Sequence, residues 1–173
     1  MTVDRRWLLA WARRYDAGYD EKHGVAALAR TMPTYDNVRR IVRWKSARSL
    51  GYFDRNSHDS VAPVVSDALA QHDPCDALQR LTELAGVRER VASAILAVYD
   101  PRRYTVMDRR AYATLVANGE LQDLSGWTWA QTWRPYLNVC SAIARRERLS
   151  KRTVDRALYA ANGRTDLPAR AQP

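Results

Sequence analysis

The residues best placed to do chemistry lie between Leu81 and Asp108, in the stretch LTELAGVRERVASAILAVYDPRRYTVMD. Asp108 closes this stretch, after a short extended segment and at the start of a helix, so its backbone is fixed while its carboxylate projects. A carboxylate held where water is scarce stabilises a developing positive charge and orients or deprotonates a water molecule. Upstream, Gly86 separates two apolar-periodic segments and supplies a backbone conformation that side-chain-bearing residues resist, so one helix ends and the next begins within about four residues. The first amides of that second helix have no intrahelical partner. With Arg88 and Arg90 beside Val87, they make an anion site suited to phosphate. Lys45 is a second candidate for chemistry, as an amine nucleophile.

The elements that must position these groups are legible as helices. Val91, Ala94, Ile95 and Val98 share one face at helical spacing, so the helix after the hairpin is expected to be buried and the hairpin held rigidly. Thr34 to Ser49 carries a buried stripe of Val38, Ile41 and Val42 ringed by Arg39, Arg40, Arg43 and Arg48, with Thr34 as N-cap. Its end, Trp44-Lys45-Ser46 with Arg48 close behind, sets a flat ring beside a primary amine at a helix C-terminus. That is the composition of a surface that stacks on or wedges into nucleic acid, and equally of a solvated basic face with one core tryptophan; both readings stand. Asp108 likewise has two roles that can coexist, reacting carboxylate and N-cap accepting from Arg110 or Ala111.

The pattern Leu84-Ala85-Gly86-Val87, then Arg90, Ala92, Ala94, Ile95 and Leu96, then Tyr104-Thr105-Val106-Met107-Asp108 resembles the hairpin and catalytic aspartate of the helix-hairpin-helix (HhH-GPD) DNA glycosylase superfamily, which includes endonuclease III and the adenine glycosylases. Counted from Leu84, Asp108 falls where the family's aspartate falls, without a gap, and the likeness covers about a sixth of the chain. It implies an all-α, helix-hairpin-helix glycosylase-like fold, compact and partly shortened, that grips double-stranded DNA and excises a base with the Asp108 carboxylate. Gly86, Val87, Arg88 and Arg90 are then the backbone anchor, and Arg109 and Arg110 clamp flanking phosphates. Arg43, Trp44 and Arg48 stand where related enzymes line the base pocket, with Tyr35 and Trp44 foremost for stacking. Because the nucleotide must leave the helix before its glycosidic bond is reached, aromatic groups are needed to receive the base and fill the gap.

Three departures bear on the chemistry. Ala85 replaces a proline, which is harmless. Arg88 replaces the second hairpin glycine, so a guanidinium contacts the phosphate where backbone otherwise approaches it. Arg90 stands where bifunctional members carry a Schiff-base lysine, which implies a monofunctional glycosylase. A non-catalytic helix-hairpin-helix DNA-binding protein is the alternative.

At 173 residues and 46% hydrophobic, the chain is long enough for one cored domain, expected over 1–163, with a disordered tail at 164–173. A formal charge of +9, carried mostly by arginine, points to a polyanionic partner. Cys75 and Cys140 lack metal-ligand spacing, so no disulfide framework, iron–sulfur cluster, other metal or cofactor is expected. His58 and His72 read as caps or surface groups. With no long apolar run and no signal peptide, the expectation is a cytoplasmic, nucleoid-associated monomer away from membranes.

Elsewhere the spacing predicts an N-terminal helix with Trp7, Leu8, Trp11 and Tyr15 on one face and Thr2 or Asp4 as cap. Gly18 and Gly24 loosen the next segment, before a short helix over 25–29. Leu50 to Ser57 reads as a loop with Asn56 as a turn or capping group, Ser60 to Gln71 as a helix, and 75–84 as the helix that enters the hairpin. Pro135 is expected to kink or restart the helix around Trp133, and Ser150 to cap the last one.

Overall fold

A computed structural model describes residues 3–167, and among these every regular element is helical. In chain order they are α1 (Arg5–Ala12), α2 (Ala17–Lys22), α3 (Val25–Leu28), α4 (Tyr35–Ser46), α5 (Leu50–Phe53), α6 (His58–Ala70), α7 (Pro74–Leu81), α8 (Glu89–Tyr99), α9 (Arg109–Ala117), α10 (Trp129–Arg146) and α11 (Lys151–Ala161). The all-α expectation therefore holds. No helix among the described residues is long and apolar enough to cross a membrane.

Side-chain caps set most starts. Asp4 accepts from the Trp7 amide, Thr34 from Asn37 and Ser150 from Thr153, each satisfying an otherwise orphaned donor. Thr128 and Gln131 form a reciprocal capping box at the start of α10. Pro135 lies inside α10, which runs on through it without a restart. Gly18 likewise sits within α2, a helix the sequence did not suggest. The span read as a loop after Leu50 begins with α5, preceded by a 3-10 turn at Ala47–Ser49.

One apolar core joins both ends of the chain. Trp7, Leu8 and Trp11 of α1 pack with Val154, Ala157, Leu158 and Ala161 of α11, which also covers α9. α4 lies against α8, and α6 against α7. The tail is ordered where it is described: the indole of Trp7 donates to the Thr165 carbonyl at 3.0 Å and that of Trp11 to the Asp166 carbonyl at 2.9 Å. Of the tail expected to be disordered, residues 168–173 lie outside the described residues.

Candidate active site

The turn between α7 and α8 is built as its sequence requires. Gly86 has φ +76°, and a β-carbon there would stand 2.6 Å from the Phe53 nitrogen and 2.7 Å from the Ser49 carbonyl oxygen. Glycine is thus demanded twice, by the left-handed backbone and by main chain pressed against main chain. Asn56 completes the clamp. Its side-chain oxygen accepts from the Ala85 amide at 2.9 Å and its amide nitrogen donates to the Ala85 carbonyl at 3.0 Å, while also reaching the Phe53 carbonyl at 2.7 Å. The sequence placed Asn56 as a local turn or capping group; it keeps that local bond to Phe53 and also reaches Ala85, 29 positions away.

A second set of contacts fixes the acid relative to this turn. Tyr104, Val106 and Met107 are buried, and each such side chain contributes roughly 1.5–3 kcal/mol of burial, more than the roughly 1 kcal/mol of a helix cap. The Ser93 hydroxyl of α8 accepts from the Met107 amide at 2.9 Å and donates to the Arg90 carbonyl at 2.8 Å. The Tyr136 hydroxyl of α10 donates to the Val106 carbonyl at 3.1 Å. Burial and these bonds, more than the cap, hold Asp108 at a set distance from the hairpin helix.

Asp108 uses both carboxylate oxygens. Oδ1 accepts from the Arg110 amide at 2.9 Å as the N-cap of α9, and Oδ2 accepts from Lys45 Nζ at 2.8 Å. The two side chains of this ion pair are only 16% and 12% exposed. Burial pushes the Asp108 carboxyl up, but the Lys45 ammonium, its hydrogen bond and the Arg110 amide outweigh it and hold the group below its ordinary value. Asp108 is accordingly an anion.

Two cavities meet at this pair. The larger, about 1150 Å³, is the cleft in front of the hairpin; Arg48, Ser49, Tyr52, Gly86, Val87, Arg88, Arg90, Lys45 and Asp108 are among the residues that line it. The smaller, about 380 Å³, is an aromatic recess walled by Tyr15, Tyr19, Trp44 and Tyr159, with Arg110, Arg152, Asp155, Lys45 and Asp108. Among the described residues, Lys45 and Asp108 alone face both.

The recess is assembled around a buried carboxylate. Asp20, 6% exposed, accepts from the Tyr15 hydroxyl at 2.8 Å, the Trp44 indole at 2.9 Å, Arg152 at 2.5 Å and Arg156 at 2.8 Å. Burial raises its carboxyl, but Arg152, Arg156 and Tyr15 overcome this and hold it low. Arg152 also pairs with Asp155, whose carboxyl burial pushes up against the opposing charges of Arg152 and Lys45. Sequence reasoning missed Asp20, Arg152, Asp155 and Tyr159, since nothing in local spacing joins α2 to α11.

The proposed site residues divide accordingly. Gly86, Val87, Arg88, Arg90, Arg48, Lys45 and Asp108 converge on the cleft; Trp44 and Arg110 belong to the recess, with Arg110 lying 4.9 Å over the Tyr159 ring. Three expected residues fall elsewhere. Tyr35 stacks on His58 at 3.8 Å and donates to Asp54 at 3.2 Å, so it packs the start of α4 against the end of α5 and the start of α6 and lines neither cavity. Arg43 is exposed beyond both, within electrostatic reach of His23. Arg109 points to a separate hollow beside Trp127 and Trp129. The adjacent arginines diverge because consecutive helical positions face different sides. In the stretch read as a loop, Tyr52 proves to be an exposed aromatic, 58% accessible, on the wall of the cleft.

Among the described residues no cluster of His, Cys, Asp and Glu could hold a metal ion. No family model matches the chain, and no curated protein or solved structure matches it.

Proposed function

We propose that this chain is a monofunctional DNA N-glycosylase, with Asp108 as the catalytic carboxylate and the Gly86 hairpin as the grip on one strand. One observation carries the reading: Asp108 and Lys45 stand at the boundary between a cationic cleft and an aromatic recess. A glycosidic bond joins a sugar, which stays with the strand, to a base, which can be turned away from it. With the strand in the cleft and the base in the recess, that bond lies at the boundary.

The chemistry then follows from charge. As the bond to the base lengthens, positive charge gathers at the anomeric carbon. A carboxylate already anionic and mostly removed from water stabilises that charge at little reorganisation cost and orients the attacking water. Arg48, Arg88 and Arg90 neutralise phosphates, and Trp44 and Tyr159 offer ring faces to the base. Tyr52, at the cleft wall, is the side chain available to fill the vacated stack.

The test is incubation with duplexes carrying uracil, oxidised or alkylated bases, followed by assay for abasic sites. Excision from at least one duplex is expected, with Asp108→Asn inactive yet still bound to DNA, because its amide oxygen can keep the cap. An Asn variant as fast as the parent removes Asp108 from the mechanism. The engagement of both Asp108 oxygens favours a second reading, a DNA-binding module without chemistry. It requires salt-dependent binding and no abasic sites on any duplex.

A further inference from the structure

Asp155 is a carboxylate at the wall of the recess that the glycosylase reading leaves without a task. It lies on α11, is 3% exposed and is among the residues lining the recess. One of its oxygens accepts from Arg152; the other has no hydrogen-bond partner among the described residues. The Arg152 guanidinium beside it is committed, with Nη1 on Asp155 and Nη2 on Asp20, and its central carbon lies 5.1 Å from the centroid of the Trp44 ring. Asp155 thus presents a carboxylate edge to the space between the aromatic walls.

We infer that Asp155 reads the base entering the recess and selects one bearing an exocyclic amino group. An amino group brings N–H donors to that carboxylate edge, which can accept from them directly. A base with a keto oxygen at the same place sets lone pairs against a carboxylate with water excluded. Discrimination of this kind is strong because the unpaired group belongs to the site itself. The selected class is adenine-like, cytosine-like or guanine-like bases, against hypoxanthine-like, uracil-like or thymine-like ones. This rests on the recess being the base receptor, as the glycosylase reading has it.

The experiment separates the two ideas by measuring binding without cleavage. The full chain, bound to a duplex with a tetrahydrofuran abasic analogue, is dialysed to equilibrium against labelled free bases in pairs that differ in amino versus keto: adenine with hypoxanthine, and cytosine with uracil. The amino member of each pair is expected to bind about tenfold tighter. In Asp155→Asn the amide oxygen stays on Arg152 and the amide nitrogen turns to the recess, so the preference reverses toward the keto member. Tyr159→Ala weakens all four bases alike, as a stacking wall should. Equal affinity within both pairs, a keto preference in the parent, no binding of any base, or a folded Asn variant that keeps the amino preference each overturns the proposal. If Asp155→Asn does not fold, the two pairs measured on the parent still decide. Amino preference with no excision from any duplex sinks the glycosylase reading alone, and excision without such preference sinks this one alone.

Discussion

Lys45 Nζ lies 2.8 Å from Asp108 Oδ2, although the two residues are 63 positions apart in the chain. That contact ties the end of α4 to the start of α9 and places an amine and an acid between two cavities of different character. Lys45→Met should leave a carboxylate mostly buried beside an apolar side chain, costing about 2–4 kcal/mol in urea melts at neutral pH. The Asp108 carboxyl lies below its ordinary value, so the pair contributes fully above the unfolded carboxylate pKa of about 3.9 and is lost as pH falls through the lowered value. In Lys45→Met burial goes unopposed by that ammonium, the Asp108 pKa rises, and the acid limb of any excision rate moves to higher pH than in the parent.

On the glycosylase reading, the same amine bears on whether the reaction is hydrolysis or imine chemistry. While it is paired with Asp108, Lys45 must both shed a proton and leave its partner before it can attack carbon. Excision should therefore leave an intact strand that breaks only on treatment with alkali, and borohydride should trap no protein on DNA. A trapped complex that vanishes in Lys45→Ala would instead mark a bifunctional reaction through a lysine on α4.

Gly86→Ala combines a strained φ with a β-carbon driven into the backbone of Phe53 and Ser49. A loss of about 2–3 kcal/mol is expected from thermal or chemical melts, with DNA affinity falling in the fraction that remains folded. A stability within about 0.5 kcal/mol of the parent would mean that the turn does not pack as described.

Asn56→Ala removes a side chain that satisfies both polar groups of Ala85. The cost should be about 2 kcal/mol, and amide exchange at Ala85 should speed up while α10 and α11 stay protected. Asn56→Asp should not rescue it, because a carboxylate can accept from the Ala85 amide but cannot donate to the carbonyls.

Tyr52→Ala should leave stability within about 0.5 kcal/mol, since the ring is 58% accessible. Excision from duplex DNA should nonetheless drop about tenfold, with single-stranded substrate spared, if the ring fills the gap left by the base. Equal loss on both substrates would assign Tyr52 to strand binding in place of gap filling.

The hairpin, the buried face of α8 and the cap at Asp108 were legible because each is written within a dozen neighbouring residues: a glycine between periodic segments, apolar spacing, an acid before a helix. The recess was not. Asp155 and Tyr159 lie on the last helix and Asp20 between Gly18 and Gly24, with no local pattern that singles them out. Their roles depend on α2 and α11 meeting, which local spacing does not encode. Tyr35 failed for the opposite reason. Its position near Trp44 in sequence suggested a shared pocket, but helical rotation turns it toward His58 and Phe53.

Asp20 gathers donors from Tyr15, Trp44, Arg152 and Arg156, so the chamber behind the acid closes only when α2, α4 and α11 have met. The hairpin clamp, by contrast, draws on residues 49 to 86 in the middle of the chain. Fraying of α2 or α11 would accordingly dissolve the recess and spare the cleft, so the two cavities can be lost one at a time.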